Sequence, residues 1–86
     1  MPLYRFTIHG RIMGATAPNG LYTTRWCRAR DQKNAAEKAL DIVRFDLSKE
    51  FPSWAISDLE VEQGWRIRFW EIWRAPNRGY TFYSGD

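Results

Sequence analysis

Very few side chains in this sequence could carry out covalent or acid–base chemistry. The chain has one histidine, His9, and one cysteine, Cys27. Both fall on neighbouring predicted strands, so a Cys–His nucleophile pair is conceivable. The alternation of those strands, however, puts the two side chains on opposite faces of the sheet. The favoured interpretation is a surface imidazole and a small core thiol, neither of them catalytic.

Two glutamates, Glu60 and Glu62, lie on the same side of another predicted strand. A pair of carboxylates can serve as general acid and base, but alternating Glu on an exposed strand more often pairs with Arg on the next strand. The ligand spacings of zinc sites are missing, and GATAPNG lacks the lysine of a Walker A loop. We therefore predict a protein that is not an enzyme and holds no metal or cofactor.

The remaining pattern is basic and aromatic. GWRIRFWEIWRAPNRGYTFY, near the C-terminus, places three Trp and four Arg within twenty residues. Sheet faces of this kind bind single-stranded nucleic acid when the rings stack on bases and Arg meets phosphate. The same residue types concentrate in protein interfaces. The candidate surface for either partner consists of Arg5, Arg11, Trp26, Arg28, Arg30, Arg66, Arg68 and Trp70.

Composition limits the class of protein. The chain has 86 residues and a formal charge of +3, which indicates one domain over residues 1–86 and only a weak preference for anionic partners. Hydrophobic residues make up 44%, which excludes a disordered chain. One cysteine allows no intrachain disulfide and fits a reducing compartment. No apolar run approaches the ~18–20 residues of a membrane span, so we expect a cytoplasmic protein without a membrane partner.

The first half of the chain predicts a hairpin followed by a helix. Residues 3–13 alternate between apolar and polar side chains, as half-buried strands do, and GATAPNG supplies turn residues. Residues 21–30 form the second strand, whose expected core side carries Leu21, Thr23, Arg25, Cys27 and Ala29. Asp31 is a suitable N-cap for a helix that runs to about Glu50, before Phe51–Pro52 ends it. Its apolar stripe is Ala36, Ala39, Leu40, Val43 and Leu47.

The second half predicts two further strands and a short terminal one. Ile56 to Glu62 forms the third strand, Gln63–Gly64 a turn or bulge, and Trp65 to Arg74 the fourth. We expect the core side of the fourth strand to be Trp65, Ile67, Phe69, Glu71 and Trp73. YTFY is a short last strand. The fold class is therefore α+β, with a four- to five-stranded, mostly antiparallel sheet, one helix on one face, and the order β-β-α-β-β with or without a final β.

Two segments, GLYTTRWCRARDQKNAAEKAL and the terminal GYTFY, carry a resemblance. They resemble a group of small, uncharacterised bacterial proteins that have a G-[FL]-Y-T-T-R-[FW]-[VC]-x-A strand, an Ala-rich helix and a C-terminal G-[FY]-T-F-Y. The resemblance covers most of the chain and implies a strand followed by a helix. It implies no activity.

One helix covers only part of a four-stranded sheet, so the other face is solvated or meets a partner. The leading hypothesis is a non-catalytic interaction module that forms homodimers through its Arg- and Trp-bearing sheet surface, with apolar contacts from Trp26, Trp54, Trp70 and Ile72. The alternative hypothesis is single-stranded nucleic-acid binding through the same face, which Glu60 and Glu62 would oppose.

Overall fold

Four antiparallel strands and one helix make up the described part of the chain. The structure is a computed structural model that describes residues 1–14, 17–68, 70–71 and 79–84. Its elements are β1 (Leu3–Met13), β2 (Gly20–Arg28), α1 (Gln32–Glu50), β3 (Ala55–Ile67) and β4 (Tyr80–Tyr83). Strands lie in the order β3-β1-β2-β4, and each neighbouring pair is antiparallel. The predicted α+β class, with an antiparallel sheet and one helix, is confirmed for these residues.

The core lies between α1 and one side of the sheet, which we call the inner face. Alternation along β1 directs its apolar side chains to this face, and α1 adds a buried stripe whose small alanines let the helix approach the strands closely. The buried members from β1 are Tyr4, Phe6, Ile8 and Ile12, and those from α1 are Ala35, Ala39, Val43 and Leu47. The predicted stripe lacked Ala35, which is fully buried, whereas its members Ala36 and Leu40 are partly buried and pack against the core.

Both ends of α1 form as the sequence indicates. The Asp31 carboxylate accepts a hydrogen bond from the backbone N–H of Asn34 at 2.8 Å, which satisfies one of the open donors of the first turn. At the other end, the N–H of Phe51 donates to the carbonyl of Leu47 at 2.8 Å. Among the described residues, no helix combines the length and apolar character needed to cross a bilayer.

Strand β2 confirms the predicted core side. Its inner positions are buried throughout, including one charged residue: Leu21, Thr23, Arg25, Cys27 and, just past the strand, Ala29. The Cys27 thiol donates to the carbonyl of Ala35 at 3.0 Å. Cys27 lies opposite Tyr4 on the inner face, whereas His9 lies on the other side of β1, so the two residues do not form a pair.

The predicted third and fourth strands are one continuous strand, β3, and Gly64 marks a close approach instead of a turn. Gly64 lies opposite Phe6, and a Cβ atom on it would sit 2.5 Å from the Phe6 ring. Glycine is therefore required because the aromatic ring lies against its backbone. The carbonyl of Gly64 also accepts a hydrogen bond from the Gln32 side chain at 3.1 Å, which ties β3 to the start of α1.

An irregularity in β3 reverses the expected sides of its second half. Thr7 pairs with Gln63 and Ile8 with Val61, so Glu62 is an extra residue in a β-bulge. Simple alternation from Val61 puts Trp65 in the core, but the bulge moves it to the side opposite α1, where it is 39% exposed.

The predicted fourth strand also ends earlier than expected. β3 stops at Ile67, which is buried, but on the side of Trp65 and not on the predicted side facing α1. Glu71 donates its N–H to the carbonyl of Arg68 at 2.9 Å in a turn. The prediction that this strand continues to Arg74 is therefore wrong at residues 70–71. Phe69 and the range 72–74, including Trp73, lie outside the described residues, so the described chain shows four strands and not five.

We expect Gly64→Ala to lower the free energy of unfolding by about 1–3 kcal/mol, because the added methyl group overpacks the buried Phe6 ring. Urea denaturation measures the effect, and Gln63→Ala on the next position is the control. In a Phe6→Leu background, Gly64→Ala should lower the free energy of unfolding by less, since the two residues are in direct contact. An equal cost in both backgrounds would contradict this explanation of Gly64.

Candidate interaction surface

The side of the sheet opposite α1, which we call the outer face, is not covered by any helix or strand among the described residues. Its side chains form rows across neighbouring strands. Trp26 of β2, Arg5 of β1 and Trp65 of β3 make one such row. The guanidinium carbon of Arg5 is 5.6 Å from the centroid of the Trp65 ring, a cation–π distance. Arg5 thus lies between two indole-bearing positions.

One end of the outer face is basic, and we call it the basic end: Arg5, Arg28, Trp26 and Trp65, continued past β3 by Arg68 and Trp70 of the adjoining cleft. A cleft of about 270 Å³ is lined there by Arg28, Arg66, Arg68 and Trp70, together with Leu3, Ile67 and the first two residues of the chain. The Arg68 guanidinium carbon is 5.3 Å from the Trp70 ring centroid. The three Arg residues of the cleft are exposed, so their charges reach solvent.

The other end carries carboxylates and aromatic hydroxyls, and we call it the acidic end: His9, Tyr22, Glu60, Glu62 and Tyr83. His9 lies opposite Tyr22 and Glu60 on its two sides. Its Nε2 is 2.5 Å from the Tyr83 hydroxyl, and its Nδ1 is 4.0 Å from Oε1 of Glu62. Glu60 and Glu62 therefore share one face with His9, as the sequence predicts.

Two tyrosine rings pack against the His9 imidazole at the acidic end. The centroid of the His9 ring is 4.7 Å from that of Tyr22 and 5.7 Å from that of Tyr83, and the last two rings are 5.6 Å apart. Tyr83 reaches this position because Gly20 opposite it has no side chain; a Cβ on Gly20 would lie within the phenol ring.

The structure brings together only part of the predicted surface. Arg28, Arg66, Arg68 and Trp70 surround one cleft, and Arg5 and Trp26 pair beside it. Arg11 lies six residues from Arg5 along β1, or ~20 Å away at ~3.3 Å per residue, and so belongs beside the acidic end.

Three of the predicted positions need correction. Arg30 is exposed past the end of β2, so it is not a strand residue. Arg66 lies opposite Tyr4, which places it on the inner side of β3 at an exposed rim, because of the bulge at Glu62. Trp54 stacks on Phe51 at a centroid distance of 4.0 Å, away from the outer face. Ile72 lies outside the described residues.

Two residues of the surface were missed by the sequence interpretation. Trp65 was assigned to the core because it lies on the more apolar side of the predicted fourth strand. Tyr83 contacts a residue 74 positions away, and only the β2–β4 register reveals that contact. The YTFY motif indicated a strand but not its neighbour.

A second concavity lies on the inner face around Arg25, which is only 3% exposed. Its guanidinium donates to the Tyr80 hydroxyl at 3.0 Å and to Thr23 Oγ1 at 2.9 Å, and it lies 3.6 Å from Asp46 Oδ2. The cleft, of about 250 Å³, is also lined by Glu50. Because its one cation is already bonded to protein groups, this network is best explained as support for β4 and the end of α1.

The chain matches no known protein family, no curated protein and no solved structure. Its function is therefore inferred from the chemistry of the outer face.

We expect the free energy of unfolding to fall as pH rises above about 8.5. Burial raises the pKa of the Cys27 thiol, against a smaller opposing effect of Lys38. Burial also raises the pKa of Tyr80, although the neighbouring Arg25 lowers it in part. Since the unfolded chain ionises first, near pH 8.5 for Cys and 10 for Tyr, stability is present below those values and lost above them.

Chemical denaturation between pH 7 and pH 11 measures this loss. Cys27→Ala and Tyr80→Phe should each reduce the alkaline slope, even if each also lowers stability at neutral pH. Slopes identical to that of the unaltered chain would contradict the burial effect.

Proposed function

We propose that this protein is a non-catalytic interaction module that associates with a second copy of itself through the outer face. The observation that carries the proposal is the separation of charge on that face. Arg5, Arg28 and their neighbours concentrate at one end, while Glu60 and Glu62 lie at the other. Arg5 and His9 are four residues apart, so the two ends are ~13 Å apart along the strands.

Such a face is complementary to itself when it is reversed. A twofold axis parallel to the sheet and across its strands stacks the basic end of one copy on the acidic end of the other, and repeats the contact on the opposite side. Stacking in the unreversed direction would instead place Arg over Arg. Charge complementarity thus specifies one orientation.

Aromatic rings supply the apolar contact that charges alone lack. In the reversed arrangement, the row of Trp26, Arg5 and Trp65 meets the row of Tyr22, His9 and Glu60 from the second copy. Exposed Trp, Tyr and Arg are the residue types that most often dominate interface energies. Rings on both sides can pack as the facing layers of two stacked sheets.

The size of the face is adequate for this role. β1 has 11 residues, or ~36 Å at ~3.3 Å each, and the four strands span ~14 Å at ~4.8 Å spacing. The projected area is therefore roughly 500 Å², and protruding side chains make the accessible area larger. It approaches the ~800 Å² per partner of a standard interface.

The compartment is part of the proposal. Cys27 is a free, buried thiol, which is compatible with a reducing environment, and we place the module in the cytoplasm on that ground.

The basic end also favours a second candidate function, single-stranded nucleic-acid binding. Arg28, Arg66 and Arg68 surround one cleft with Trp70, an arrangement in which a base can stack and phosphates can pair. Against it, the strand would have to avoid Glu60 and Glu62 on the same face. Self-association uses both ends, and we therefore favour it.

Charge reversal tests the proposed dimer. Arg28→Glu/Arg68→Glu leaves Arg5 against two new carboxylates and so makes both ends acidic, and Glu60→Lys/Glu62→Lys makes both ends basic. We expect each variant alone to dissociate at least about tenfold more readily than the unaltered chain, because like charges then meet. An equimolar mixture should form a heterodimer, since both contacts become complementary again. Sedimentation velocity measures all three samples.

The control is Glu37→Lys/Asp41→Lys, which makes the charge change of Glu60→Lys/Glu62→Lys on exposed positions of α1 and should leave association unchanged. Circular dichroism checks that every variant folds. Failure of the mixture to associate would contradict the reversed arrangement. Binding of a single-stranded oligonucleotide that the first variant loses, with a steep salt dependence, would instead favour the nucleic-acid function.

A further inference from the structure

The acidic end brings together three side chains that can bind a metal ion. One ligand atom from each of His9, Glu60 and Glu62 lies within 4.8 Å of the other two. In a zinc site with bonds of 2.0–2.2 Å, ligand atoms are ~3–3.5 Å apart. A change of ~1 Å by exposed carboxylates is therefore enough to close the site, and both glutamates are exposed.

The imidazole is already oriented for this role. Its Nε2 is hydrogen-bonded to the Tyr83 hydroxyl, and its ring is packed against Tyr22 and Tyr83. When Nε2 carries the proton and donates it to Tyr83, Nδ1 is left with a lone pair facing the carboxylates. Metal-binding histidines commonly have their second nitrogen held in this way.

The gap between His9 and Glu62 also suits a cation. Nδ1 and Oε1 are 4.0 Å apart, too far for a direct hydrogen bond. Two electron-rich atoms that face each other across this distance are stabilised by a positive ion between them. Arg11, the nearest cation on this face by register, lies two residues further along β1 and leaves the pair of carboxylates one excess negative charge.

We propose that His9, Glu60 and Glu62 form a binding site for a divalent first-row transition ion, with Tyr83 as the residue that positions the imidazole. One nitrogen and two carboxylate ligands suit Zn²⁺ or a similar ion, whereas Mg²⁺ prefers oxygen ligands only. In a single chain, three protein ligands leave the remaining coordination positions open to solvent. The site belongs to one chain and does not depend on self-association.

Isothermal titration calorimetry with Zn²⁺ as the probe tests the site in the full chain. We expect one ion per chain, and at least about tenfold weaker binding in each of His9→Gln, Glu60→Gln and Glu62→Gln. Tyr83→Phe should weaken binding by about 10–100-fold while all three ligands remain. Glu37→Gln on α1 is the matched control and should bind as the unaltered chain does.

Proton NMR gives a second readout, because His9 is the one histidine of the chain and its ring signals report this site alone. Zn²⁺ should shift or broaden them in the unaltered chain and in Arg28→Glu/Arg68→Glu, in which the proposed dimer is disrupted. The proposal is overturned by the absence of saturable binding, by Zn²⁺ binding of equal strength in His9→Gln, or by Mg²⁺ binding as tightly as Zn²⁺. Loss of Zn²⁺ binding only in the Arg variant would contradict a site contained in one chain.

Discussion

The contact between α1 and the inner face is the constraint on which the rest of this structure depends. A helix of 19 residues is ~28 Å long and covers one side of the sheet. It lies close because Ala35 and Ala39 face the strands, while Val43 and Leu47 fill the space further along. With alternate side chains of β1 and β2 directed to this helix, the intervening side chains, including Arg5, His9, Tyr22 and Trp26, necessarily lie on the outer face.

Strand register arranges the charged and aromatic side chains of the outer face in order. Register places Arg5 between two tryptophans near one end and His9 between Tyr22 and Glu60 near the other. Cation–π pairs keep the Arg and Trp side chains ordered without neutralising their charge. In the dimer that we propose, the opposite charges at the two ends of this surface meet those of a second copy in reverse.

Much of the fold could be predicted from local pattern. Alternation in β1 and β2, the Asp31 cap and the spacing of the α1 stripe are properties of short segments. Each was predicted correctly, except that the α1 stripe lacked Ala35. The interpretation of β3 was wrong because a glycine in a strand pattern can mark either a turn or a place where another side chain lies against the backbone, and the sequence does not distinguish the two. Gly64 is the second kind, and only the position of Phe6 shows it.

The surface was less predictable because its geometry depends on register. One extra residue at Glu62 moves Trp65 from the expected core to the outer face and Arg66 to the opposite side. His9 was interpreted as an isolated surface imidazole, since nothing local links it to Tyr83. Where the outer side chains meet is therefore decided by strand pairing, whereas their residue types were evident from the sequence.

Self-association is measured by the mass of the unaltered protein, obtained by light scattering after size exclusion at low and high salt. The sample is first checked for nucleic acid by its absorbance ratio. For the proposed dimer we expect a particle free of nucleic acid, with a mass twice the 10.2 kDa of one chain. We expect this mass to change only modestly with salt, because ring burial stabilises the dimer and charge orients it. A single-chain mass at every concentration, or nucleic acid that high salt removes, would contradict the proposed dimer.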